Sequence, residues 1–216
     1  MSKKNILILG IHGASQSSSK KESIDSLVNN ILTKINNTDS DYIINSKFLK
    51  STFFLFRKHN IKSFFKKNAN ENTKALICIG KSLGAIKLLE YFNENIKLFL
   101  KYFKDKKIIF ITIDPHQPGF YDKNSNFIID FDRYIDFKHL PKFFNYRQIN
   151  NYPTGALLLF NNSRLLPETI LLIDFVLNGE ATGLNKTLYN VDHFSIINHP
   201  LINNILFQSI EDIIEQ

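Results

Sequence analysis

One cysteine, Cys78, occurs among 216 residues, so no internal disulfide can form. Stability must then come from a packed core, and a reducing compartment is compatible with this usage. Cys78 lies inside an apolar run and reads as a core side chain. Long apolar runs are also missing. None approaches the roughly 20 residues that a membrane-crossing helix needs, and the longest candidate, TILLIDFVL (169–177), carries Asp174 in its middle. No stable membrane insertion is expected, and the expected location is the cytoplasm. Zinc-ligand spacings and nucleic-acid motifs are likewise lacking. The net charge of +7, from 27 basic against 20 acidic residues, is spread along the chain, and no nucleic-acid partner is expected from it. The basic, aromatic stretch FFLFRKHNIKSFFKKN (53–68) comes nearest to a patch. Its Phe53, Phe56, Ile61, Phe64 and Phe65 recur at near-helical intervals, which predicts an amphipathic helix with a solvated lysine face.

What is present suits one globular domain over residues 1–216. The composition is 44% hydrophobic and 13% aromatic, enough for a sizeable core. Three apolar runs, NILILG (5–10), ALICIG (75–80) and KIIFITID (107–114), have the look of buried parallel strands feeding helices. The N-terminal run has two preceding lysines and small residues after it, as a signal peptide would, but it is short and reads well as a first strand. DYIINS (41–46) is a further candidate strand. Between them lie helical patterns: Ile24, Leu27, Val28, Ile31, Leu32 and Ile35 step at helical spacing, and Ile86, Leu88, Leu89 and Phe92, in a helix over Ala85 to Phe92, lead through Ile96 toward Phe103.

Strand and helix in alternation predict an α/β fold with a mainly parallel sheet flanked by helices. Sites in such sheets lie at the carboxyl ends of the strands, here GIHGAS, GKSLG and IDPHQPG. Residues 115–141 hold three prolines and no clear period and are expected to form a lid or cleft loop. NYRQIN (145–150), GALLLF (155–160) and TILLIDFVL supply further strands, and 201–214 close the chain as a helix.

Ser82 follows the central run and can be read two ways. A phosphate loop needs G-x-x-x-x-G-K-[ST], and Gly80-Lys81-Ser82 gives its tail. The head fails, because Ala75 stands at the first glycine position and Leu76 to Ile79 belong in a strand. A nucleophile needs G-x-S-x-G between a strand and a helix, since its serine sits on a strained tight turn. Gly80 and Gly84 supply the spacing. A serine hydroxyl also needs a histidine base and an orienting carboxylate. His59 and His139 read as solvated, His116 as lining the cleft, and His199 as the start of the last helix. His193 has the chain position that the order Ser, Asp, His demands.

The set ILILGIHG, CIGKSLGA, ITIDPHQPG and VDHFSIINHP resembles α/β-hydrolase serine esterases and lipases. The resemblance implies a minimal α/β-hydrolase fold, starting at the strand before the oxyanion loop. It implies an ester or thioester substrate of small-molecule or acyl type and no cofactor. It assigns Ser82 as nucleophile, His193 as base and Asp114 as acid. The oxyanion hole would use backbone N–H groups of Leu83 and of Ala14 or Gly13, with His12, Lys81 and His116 lining the cleft. Asp122 and Asp174 remain alternative acids, whereas Asp192, adjacent to His193, points away from it on one extended segment. Asn161 and Asn162, taken to follow the next strand, cannot balance an imidazolium. Lys81 departs from the residues common at its position; its cation either attracts an anionic substrate or reaches solvent, and the second is the simpler expectation. Phe120, Phe127 and Phe131 hint at an apolar substrate group. A catalytically silent hydrolase-fold binding protein and a nucleotide-binding α/β protein are the rival readings.

Overall fold

The computed structural model describes residues 3–13, 23–35, 42–51, 54–116, 126–130, 136–147, 157–161, 172–176 and 195–214. Along the chain run β1 (Lys4–His12), α1 (Ile24–Ile35), β2 (Tyr42–Lys50), α2 (Phe54–Asn68), β3 (Thr73–Lys81), α3 (Leu83–Glu94) and α4 (Ile96–Phe103). There follow β4 (Lys107–Ile113), β5 (Asn126–Asp130), β6 (Lys142–Arg147), β7 (Leu157–Asn161), β8 (Leu172–Val176), a short 3-10 turn (Ser195–Asn198) and α5 (Pro200–Ile214). Six strands form one sheet in the order β2-β1-β3-β4-β6-β8. Every pairing within it is parallel. The fold is therefore α/β, with a parallel sheet between helices.

Continuous apolar runs suit β1, β3 and β4 because both faces of these strands are covered. Ile6, Ile8, Ile77, Ile79, Ile109 and Ile111 pack with α1 and α5 through Val28, Ile31, Leu206 and Ile210. Leu7, Leu9, Leu76, Cys78 and Phe110 face α2, α3 and α4 on the other side. There, Phe92 meets Phe99 edge-on with ring centroids 4.6 Å apart, and Phe65 meets Phe103 at 4.9 Å. Such pairs add about 0.5–1.5 kcal/mol each to the area they bury. Cys78 is buried as expected, and burial pushes its thiol pKa up. Among the described residues no helix is long and apolar enough to cross a membrane.

One apolar pattern divides, and two expectations need correction. The helical pattern from Ile86 toward Phe103 is two helices, broken at Asn95, whose side-chain amide donates to the Tyr91 carbonyl at 2.9 Å. Apolar spacing runs through the break because both helices cover the same face of the sheet. Residues 115–141 contain a strand, β5, which pairs in parallel with β7 in a separate two-stranded sheet. The main-sheet strand after β4 is therefore β6, and Asn161 ends a strand outside that sheet. The residues that follow β6 in sequence, Gln148, Ile149 and Asn150, offer no carboxylate either.

The chain leaves β1 for β2 on one side and returns to β3 on the other. The strand order thus reverses at β1 and β3, and the crevice beyond their carboxyl ends is where ligands bind in open parallel sheets. His12, Gly13, Lys81 and Ser82 lie there.

Candidate active site

Ser82 occupies the one-residue turn between β3 and α3 with φ 54° and ψ −131°, a backbone conformation that side chains rarely adopt. The chain must reverse there within one residue, and two hydrogen bonds hold it. Its N–H donates to the Ile113 carbonyl at 2.9 Å, and its own carbonyl accepts from Ala85 N–H at 3.0 Å. The flanking glycines supply the room. A Cβ on Gly80 would stand 2.4 Å from Ala85 Cα, and one on Gly84 would stand 2.1 Å from the Ile11 carbonyl oxygen. Both positions exclude any side chain, which explains the spacing G-x-S-x-G in purely steric terms.

A serine at a helix N-cap ordinarily spends its hydroxyl on the first turn. Ser82 makes no such side-chain capping bond. Strain of this kind costs about 1–3 kcal/mol and persists where the surroundings over-determine it. Leu83 opens the 12-residue helix α3, whose first N–H groups have no partner within the helix and carry its positive dipole end. Gly13 closes the other side: a Cβ there would lie 3.0 Å from Ser82 Cβ and 3.5 Å from Ser82 Oγ. The backbone that follows β1 is thus pressed against the serine. Ala14 lies outside the described residues.

Among the described residues, Asp114 joins Ser82 as a non-glycine residue with positive φ, at 46°. It is wholly buried. Lys81 pairs with Ile113 in register, so Ser82 and Asp114 follow at neighbouring positions on adjacent strands, about 4.8 Å apart across the ladder. Asp114 N–H donates to the Tyr146 carbonyl at 2.6 Å. Beneath it, Thr112 Oγ1 meets Asn145 Oδ1 at 2.7 Å in a buried bond that ties β4 to β6. Asp174, an alternative acid, pairs in register with Asn145 on β8. That is three strands from β3 and two residues short of the level of Ser82. Asp122 and Asp192 lie outside the described residues.

His193 also lies outside them. The turn that begins two residues later is anchored, since Ile196 and Ile197 are buried in the cluster that contains Ile113 and Tyr146. His116, two residues beyond Asp114, is half-buried, and His59 and His139 are exposed. His199 precedes α5, and its Nδ1 accepts from Leu201 N–H at 3.3 Å.

His12 ends β1 and is buried, with 5% exposure. Its Nε2 contacts Asp25 Oδ1 in the first turn of α1. Burial lowers the imidazole pKa below its ordinary value; Asp25 opposes that shift, and the charges of Lys50 and Lys81 add to it. The pair bolts the start of α1 to the strand end that presents Gly13. Asp25 has no distinguishing signal in the sequence, because acidic residues are common in the first turn of any helix. Only the tertiary fold reveals its partner. The phosphate-loop reading fails on the backbone, as Ala75 to Ile79 are buried strand residues of β3.

Chemically, these elements put a hydroxyl on a strained backbone, a helix N-terminus and the buried side chain of Asp114 close together at the sheet edge. Comparison with family models, curated proteins and solved structures finds no match for this chain.

Proposed function

We propose that the protein is a serine hydrolase that cleaves a carboxylic ester or thioester. In this reading Ser82 Oγ attacks the carbonyl while His193 takes its proton. His193 then returns that proton to the departing alcohol or thiol. Water, deprotonated by the same imidazole, releases the acyl group and restores Ser82. Asp114 orients His193 and balances its charge. The backbone N–H groups of Leu83 and Ala14 hold the oxyanion, a contribution of about 3–4 kcal/mol per donor. No cofactor enters these steps.

The observation that carries the reading is the backbone of Ser82. It is held at φ 54° between glycines that cannot bear a side chain, with a hydroxyl that does not cap its helix. Nothing in a simple strand-to-helix turn requires that combination, whereas a nucleophile projecting from a sheet edge does. The resemblance at HGAS, GKSLG, IDP and VDH supports an α/β-hydrolase arrangement. Release of 4-nitrophenol from 4-nitrophenyl butyrate tests the reading. Turnover by the wild type is expected to fall to background in Ser82→Ala and His193→Ala, each folded by circular dichroism. Equal turnover in Ser82→Ala would refute it.

A further inference from the structure

The sheet edge beside Ser82 carries charge that the proposed triad does not use. Lys50 ends β2, His12 ends β1 and Lys81 ends β3. His12 pairs in register with Lys50. Ile11 pairs with Gly80, so the next level sets His12 beside Lys81. Partners at one level of a parallel sheet point to the same face. These three therefore form a row on the face that α1 covers, about 4.8 Å apart from strand to strand.

The row is electrostatically connected, since both ammonium groups act on the buried imidazole between them. Burial, the largest influence on His12, disfavours its charged form, so the standing cations of the row are the two lysines. Lys81 is half-buried, unlike a side chain extended into water, and it is joined directly to the residue proposed as nucleophile. Attraction between partly desolvated charges is felt far more strongly than at an open surface.

Resting on the hydrolase reading above, we propose that the substrate is an anionic ester or thioester, with a carboxylate or phosphate a few bonds from the scissile carbonyl, and that Lys81, supported by Lys50, determines that specificity. The anion can belong to the acyl group or to the leaving group, and two substrate pairs separate these sources. Mono-4-nitrophenyl glutarate is compared with 4-nitrophenyl pentanoate, and 4-carboxyphenyl butyrate with 4-carbamoylphenyl butyrate. Each pair differs mainly in one negative charge.

In the pair that matches the true substrate, kcat/KM for the anionic ester is expected to exceed its neutral twin by about tenfold, one modest charge-pair interaction. Lys81→Met should bring that ratio close to one, Lys81→Arg should keep it, and added salt should reduce it. Ratios at or below one in both pairs overturn the inference. So does a ratio that Lys81→Met leaves unchanged, or an equal loss on both members of a pair, which would make Lys81 a general aid to the oxyanion. Absence of Ser82-dependent hydrolysis for all four esters, by protein that is folded, overturns the hydrolase reading and this inference with it. Ser82-dependent hydrolysis without charge preference overturns this inference alone.

Discussion

Replacing Ser82 by glycine should make the protein more stable while abolishing turnover. At φ 54° and ψ −131° any residue with a Cβ is strained by about 1–3 kcal/mol. Glycine removes that strain but adds freedom to the unfolded chain, at a cost of about 0.5–1 kcal/mol. The net gain is on the order of 1 kcal/mol. For a domain of this size, each kcal/mol moves the melting temperature by about 2–4 °C. Ser82→Ala is the necessary control, because it deletes the hydroxyl and keeps the Cβ, and so keeps the backbone strain. Thermal unfolding followed by circular dichroism should therefore rank Ser82→Gly above Ser82→Ala by about 2–4 °C, with both inactive. A Ser82→Gly protein no more stable than Ser82→Ala would mean that this turn stores no more strain than the roughly 0.5–1 kcal/mol that glycine costs, and the main physical argument for a nucleophile would be lost.

Other substitutions probe neighbouring parts of the site. In Gly84→Ala the new methyl would meet the carbonyl oxygens of Ile11 at 2.1 Å and His12 at 2.5 Å; backbone cannot swing aside, so a loss of about 3 kcal/mol is expected, and an unchanged denaturation midpoint would contradict it. Asp114→Asn keeps a residue that tolerates positive φ and removes the charge; kcat should drop by about 10⁴-fold with the fold intact, and a loss below about tenfold would move the acid elsewhere. His12 should also make stability depend on pH. Its pKa in the folded protein lies below the ordinary 6.5, so below that pH the unfolded chain binds more protons and stability falls as pH falls. Urea unfolding at pH 7 and pH 5 should show a smaller difference in His12→Gln than in the wild type, and equal differences would disprove the assignment.

The strands buried on both faces could be read from the sequence, because burial on both sides demands an unbroken apolar run, as in β1, β3 and β4. The edge strand β2 was legible only over its first residues. Beyond Asn45 its polar, partly exposed positions dilute that signal, although the strand continues to Lys50. Asn95 splits a helical pattern that apolar spacing carries across unbroken. β5 lies in a proline-containing stretch with little periodicity of its own, and its partner β7 is distant in sequence. The serine turn was legible because its steric demands are local: two glycines, one strand, one helix. Acid, base and ion-pair partners are gathered by the fold. Asp25 reaches His12, and Asp114 comes beside Ser82, through strand order and register that no short window of sequence encodes.

A single mass-spectrometric experiment bears most directly on Ser82 as an activated nucleophile. The folded protein is incubated with a fluorophosphonate and its intact mass and peptides are analysed. One covalent adduct, mapped to Ser82 and missing from Ser82→Ala and His193→Ala, is the predicted result. Folded wild-type protein that remains unlabelled, or that carries its adduct on another residue, would contradict the account.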